Sequence, residues 1–244
     1  MIFLIYAGML KYTGFAGAGQ EITQLFDQLP SSVKAILGLG ELDVTTIAGY
    51  YAVFYLYFML LAGIHAIMLG AVIVAKEERD KTGDFLFSRP VKRTQIITSK
   101  LVAVLINITI LNMITLFASL IFVNLFNEGT PITGIIMRLM AALFILQLLF
   151  AAIGAGIASI SQNIKKATSV SAAILLTTFL ISVAIDLYDK IVFLKFLSPF
   201  QYFPAAEIIT TGIYAPIYLI LSFLLITTFI LITYLFMEKR DISI

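Results

Sequence analysis

Five long apolar runs constrain this chain more than any other feature. They cover roughly 50–74, 101–126, 135–160, 167–185 and 213–236. A hydrocarbon core about 30 Å thick needs roughly 20 apolar residues per helix. Lipid offers no partner for backbone N–H and C=O groups, so each run must satisfy its own backbone as a helix. With 61% hydrophobic and 12% charged residues, the chain is not an ordinary soluble domain. At 244 residues it has room for about six spans and little else. The expectation is an all-α membrane protein, a six-transmembrane-helix bundle forming one domain over 1–244.

The first run is short. It covers 1–10 and meets Lys11. Ten residues cannot span a bilayer. It has neither the basic start nor the Ala-x-Ala cleavage site of a signal peptide. It reads as the outer part of a first helix that is truncated in this chain. Continuation through Gly14 and Gly19 would lengthen it, with Lys11 as a buried cost.

Charge decides orientation. Seven of the 16 Lys and Arg residues lie between Lys76 and Lys100, a dense block between two apolar runs. Placing that block in the cytoplasm puts 161–166 and 237–244 there too. Eleven of the 16 basic residues then lie inside, whereas acidic residues split six inside and eight outside. That bias satisfies the positive-inside rule and puts both termini in the cytoplasm.

The outer segments, 12–49 and 186–212, are too apolar for plain connectors. Within 20–37, Ile22, Leu25, Phe26, Leu29, Val33, Ile36 and Leu37 suggest two short amphipathic helices broken at Pro30. The later segment carries Phe193, Phe196, Pro199, Phe200, Tyr202 and Phe203. It is too interrupted to span and too apolar to float, so it reads as a re-entrant or interfacial hairpin covered by protein. These six residues are the candidate outer gate.

Several chemistries are excluded. There is no Cys, so there are no disulfides, zinc-thiolate sites or iron–sulfur clusters. No G-x-x-x-x-G-K-[ST] phosphate loop occurs, and Gly154-x-Gly156 lies within a span without the rest of a dinucleotide fingerprint. Glu77-Glu78 is reminiscent of an intramembrane protease motif, but Thr82 stands where Arg is needed and His65 is the only His. No catalytic or metal site is expected. His65 lies inside the second span and is expected to be neutral, bonded to a neighbouring helix. The middle thirds of the five runs hold no Asp or Glu, which disfavours ion-coupled transport.

Two patterns remain. Ala62, Ala66 and Gly70 share one face of the second span; Ala151, Ala155 and Ser159 share one on the fourth, with Gly154 and Ala158 alongside. Small residues at that spacing let helix backbones approach closely, either within one subunit or between subunits. In the charged block, 80–88 fits a short helix with Asp80 as N-cap and a stop before Pro90. It would present Phe85, Leu86 and Phe87 beside Arg79 and Arg89, the composition of a protein-docking knob. The bland alternative is a solvated loop that only sets topology.

At these residues the chain resembles the permease subunits of the ATP-binding-cassette type-2 (ABC-2) exporter family. The likeness rests on Glu77-Glu78-Arg79, Gly83, Phe85-Leu86-Phe87, Ser88-Arg89-Pro90, Arg93-Thr94 and Lys100, with weaker matches at Gly49-Tyr50, Leu197-Ser198-Pro199-Phe200 and Lys239-Arg240-Asp241-Ile242. Asp84 replaces the usual Thr, and the cytoplasmic helix before the first span has no counterpart. The resemblance implies a coupling helix within loop 75–100, between the second and third spans. It implies that Glu77, Glu78, Arg79, Gly83, Phe85, Leu86, Phe87, Arg89, Pro90 and Arg93 dock an ATPase subunit. ATP and Mg would bind that partner, with no cofactor in this chain. It also implies a second permease copy or homologue, contact with membrane lipid, no nucleic acid, and outward movement of an amphipathic substrate such as a peptide or peptide antibiotic across the cell membrane of a bacterium. The competing reading is a non-transporting sensor or assembly protein that docks a cytoplasmic partner through the same loop.

Overall fold

A computed structural model describes residues 1–30, 33–34, 43–74, 76, 92–127, 129, 131–161 and 163–239. Among them there are helices and no strands. The long helices are α1 (Ile2–Asp27), α2 (Ile47–Val74), α3 (Arg93–Phe126), α4 (Thr133–Ile160), α5 (Ile164–Leu187) and, after a broken stretch, α7 (Pro216–Lys239). The broken stretch holds two 3-10 helices, Asp189–Leu197 and Pro199–Gln201, then the short α6 (Ala205–Thr211).

Among the described residues, five helices are long and apolar enough to cross a membrane: α2, α3, α4, α5 and α7. They match the five apolar runs. Their ends overrun the runs because polar residues such as Arg93, Thr94 and Gln95 still favour helix where water can reach them. The α4 window is 61% buried within the chain and the α7 window 11%. α4 is thus a core helix, while α7 offers most of its surface to lipid or to another chain.

The N-terminal run does not stop at Lys11. α1 continues to Asp27, a length of about 39 Å at 1.5 Å per residue. No proline interrupts it before Pro30, and glycine weakens a helix without ending it. Lys11 is exposed on α1 and does not end the helix. The continuation also absorbs 20–27, the first of the two amphipathic helices expected at the outer surface. Of the second, 31–32 and 35–37 fall outside the described residues.

The chain divides into two compact units. Unit 1 comprises Met1–Leu60, Ile110–Phe144 and Thr178–Leu219; unit 2 comprises Leu61–Thr109, Ile145–Thr177 and Ile220–Ile244. Unit 1 has an aromatic interior. Tyr51 is fully buried and donates to the Ser119 hydroxyl at 2.7 Å. Tyr50 donates to the Gly8 carbonyl of α1 at 3.0 Å, and Tyr6 packs on Phe122 and Phe126 of α3. Unit 2 buries Phe150, Ile67 and Leu149 and holds one cluster of mostly small residues, Ala71, Val74, Ala155, Ala158 and Ala167.

Candidate functional site: the basic end and the broken segment

The small-residue stripes face each other inside unit 2. A Cβ built on Gly70 would strike the Ala151 carbonyl, and one on Gly154 would strike the Ile67 carbonyl. α2 and α4 are therefore in backbone contact, and only glycine fits at the two closest points. Ala62, Ala66, Ala151, Ala155, Ala158 and Ser159 are all buried along these faces. These contacts lie within one chain.

The basic residues gather at one end of unit 2. Lys100 donates from Nζ to the carbonyl of Val74, the last residue of α2, at 2.8 Å. Arg93, the first residue of α3, donates to the Glu238 carbonyl in the last turn of α7 at 3.1 Å. The last carbonyls of a helix lack intrahelical donors and carry partial negative charge. Two side chains from the start of α3 thus close the ends of two other helices. Ala167, at the start of α5, packs in the cluster with Val74, flanked by Leu101 and Met237. This end holds what sequence singled out as Arg93 and Lys100, and it explains both physically. The other docking candidates, Glu77, Glu78, Arg79, Gly83, Phe85, Leu86, Phe87, Arg89 and Pro90, lie outside the described residues.

The broken stretch belongs to unit 1. Pro199, Phe200, Tyr202 and Phe203 are buried. Phe200 meets Phe179 of α5 edge-on at 5.4 Å, and Tyr202 stacks on Tyr218 of α7 at 5.2 Å. Phe203 packs edge-on against Tyr214, whose hydroxyl donates to the Arg138 carbonyl of α4 at 2.7 Å. Phe193 and Phe196 are instead 70% and 53% exposed, although Phe196 touches Tyr218. Burial, with Tyr218 alongside, pushes the Tyr202 hydroxyl up to about 12. Burial also raises Tyr214, with the positive charge of Arg138 acting the other way.

Polar anchors that sequence reasoning passed over hold this stretch in place. Ser198 donates to the Thr178 carbonyl at 2.7 Å. Gln201 donates from Nε2 to the Ser182 carbonyl (3.0 Å), the Ser182 hydroxyl (3.1 Å) and the Asp186 carboxylate (2.7 Å). A buried amide with partners is stabilising, and one without is costly. The available signal was a Ser and a Gln flanking the apolar pair Pro199-Phe200. Gly212 ends α6 with φ of 69°, the left-handed cap that glycine adopts without strain, and a side chain there would press on the Arg138 guanidinium.

His65 departs from expectation. It is exposed on α2, and no hydrogen bond joins it to a neighbouring helix among the described residues. The residues behind it, Ala62, Ala66 and Ile67, are fully buried. The helix is therefore rotated so that the small residues take the inner face and His65 the outer. No group of three or more His, Asp or Glu able to hold a metal ion occurs among the described residues.

Comparison with curated proteins finds no match. A family model described as ABC-2 family transporter protein matches residues 1–242. The match covers both units, the five spans and the charged block, so the chain belongs to the ABC-2 transporter family and is a multi-pass membrane component of a transport system.

Proposed function

We propose that this protein is the permease subunit of an ATP-driven exporter that moves an amphipathic compound, such as a peptide or peptide antibiotic, out of the cell. The family match across 1–242 carries this reading. In it α1 completes a six-helix permease, a second copy or homologue completes the path, and a separate ATPase subunit binds ATP and Mg. The segment 75–92, between α2 and α3, supplies the coupling helix. The convergence of α2, α3, α5 and α7 ends at Lys100, Arg93 and Ala167 supports a rigid mount for that loop. A push on the loop would be delivered to four helices at once. The basic bias supports a cytoplasmic position for this end. The buried aromatics Phe200, Tyr202 and Phe203 suit an outer closure, with Pro199 fixing the turn between the two 3-10 helices.

The test is a pull-down that looks for an ATP-binding-cassette ATPase subunit bound to this chain, with membrane insertion checked separately. Buried interface anchors typically cost about 2 kcal/mol or more when cut to Ala, roughly a thirtyfold loss of affinity. The double change Phe85→Ala and Leu86→Ala should insert normally and lose the ATPase. Lys81→Ala and Lys92→Ala should matter much less, because rim charges stay solvated. A double variant that retains the ATPase and exports like the parent would reduce the loop to a topological anchor.

A further inference from the structure

We propose that the α2 face formed by Leu61, Ile64 and His65 lines a water-filled path through the membrane, with His65 as its polar contact for the transported compound. The inference rests on the exporter reading and adds a site to it. Leu61 and Ile64 are 47% and 39% exposed, and His65 lies open beside Leu61. The opposite side of the helix is closed by α4 at Gly70. His65 sits nine residues before Val74, so it is about 14 Å from the end of α2 that Lys100 caps. An imidazole is too short to reach the interface from that depth. Facing acyl chains, its ring nitrogens would surrender their bonds to water and gain none in return. Ionisable residues at membrane depth face protein or water-filled space for this reason. No hydrogen bond within the described residues satisfies the ring, and a water-filled path would satisfy it. Two apolar residues beside one hydrogen-bonding imidazole suit an apolar compound that carries a hydrogen-bonding group.

The chain contains no cysteine, so single cysteines report without background. His65→Cys and Ile64→Cys would be treated, in native membranes, with a water-soluble methanethiosulfonate. Ile106→Cys on α3 and Leu231→Cys on α7 serve as controls; both parent residues are exposed and apolar and lie closer to the basic end of unit 2. The thiolate is the reacting form and needs water, so the His65 face should react about tenfold faster than the controls or more. Two variants on one face guard against a single misfolded protein. Equal rates at all four positions would place the face in lipid and overturn the proposal. Oxidative cross-linking of His65→Cys to a second copy, without reaction with the reagent, would make the face a closed subunit seam and overturn it too. The labelling needs no ATPase, so its failure is separable from failure of the pull-down.

Discussion

Units 1 and 2 use opposite means to hold apolar helices together. Unit 1 keeps helices apart with rings and ties them with hydroxyls. Tyr51 reaches Ser119, Tyr50 reaches Gly8, and Tyr214 reaches Arg138. Unit 2 removes side chains, so that α2 and α4 touch through Gly70 and Gly154. In lipid, apolar burial gives helices little reason to associate, because acyl chains are as apolar as leucine. What remains is packing and hydrogen bonding, and the two units each lean on one of them. A ring-filled interior holds a broken segment, because Phe200 and Phe203 pack on Phe179 and Tyr214. Backbone contact transmits displacement, because at Gly70 and Gly154 no side chain lies between the two helices.

The strongest way to break this contrast is to empty unit 1. Phe200 is 2% exposed and fits against Phe179. Phe200→Ala should cost about 3 kcal/mol or more, as buried Phe truncations do. It should also expose 190–210 to fast hydrogen exchange while leaving exchange at Gly70 and Gly154 slow. Phe193→Ala, at a position that is mostly exposed, should change neither. If both variants exchange alike, the packing of the broken segment does not depend on its rings.

The next test adds an atom to unit 2. Gly→Ala in a helix ordinarily gains up to about 1 kcal/mol. At Gly154 the new methyl meets backbone carbonyl, which cannot swing aside, so Gly154→Ala should destabilise by about 1–3 kcal/mol. Gly14 and Gly17 of α1 have nothing within 4 Å of a Cβ, so Ala there should be neutral or mildly stabilising. Resistance to denaturing detergent measures all three. The same sign at Gly154 and Gly14 would sink the backbone-contact account.

The smallest effect is a pH dependence in unit 1. The Tyr202 hydroxyl sits at about 12 against an ordinary value of 10.0, so the fold holds this proton more tightly than the unfolded chain does. Its contribution is complete below pH 10 and drains as pH rises from about 10 to about 12. Tyrosinate absorbance and exchange over 190–210 should change together in that window, and Tyr202→Phe should remove the part due to this residue. A variant that loosens over the same window to the same extent would show that other groups set the transition.

The spans were legible because hydropathy is local and additive. Each of the five runs became a helix within a few residues of its expected ends, apart from the extension of α3 back to Arg93. The stripe of Ala62, Ala66 and Gly70 was legible as a close-packing face, since spacing fixes which residues share a side. Its partner was not, because any helix with a small face would serve. α1 was misread at Lys11, since one charge looked like a boundary and proved to lie on an exposed side of a continuing helix.

Sequence by itself thus determined which segments are long and apolar enough to cross a membrane, which end of them is basic, and which family the charged block points to. These depend on composition and order along the chain, and the bilayer reads both directly. Tertiary structure alone decided that α2 meets α4, that Gln201 anchors the broken segment to Ser182 and Asp186, and that His65 looks away from the packed face. Those outcomes depend on how each helix is rotated about its axis. Rotation is settled by contacts between residues far apart in sequence, and apolar composition is nearly the same on every side of such helices.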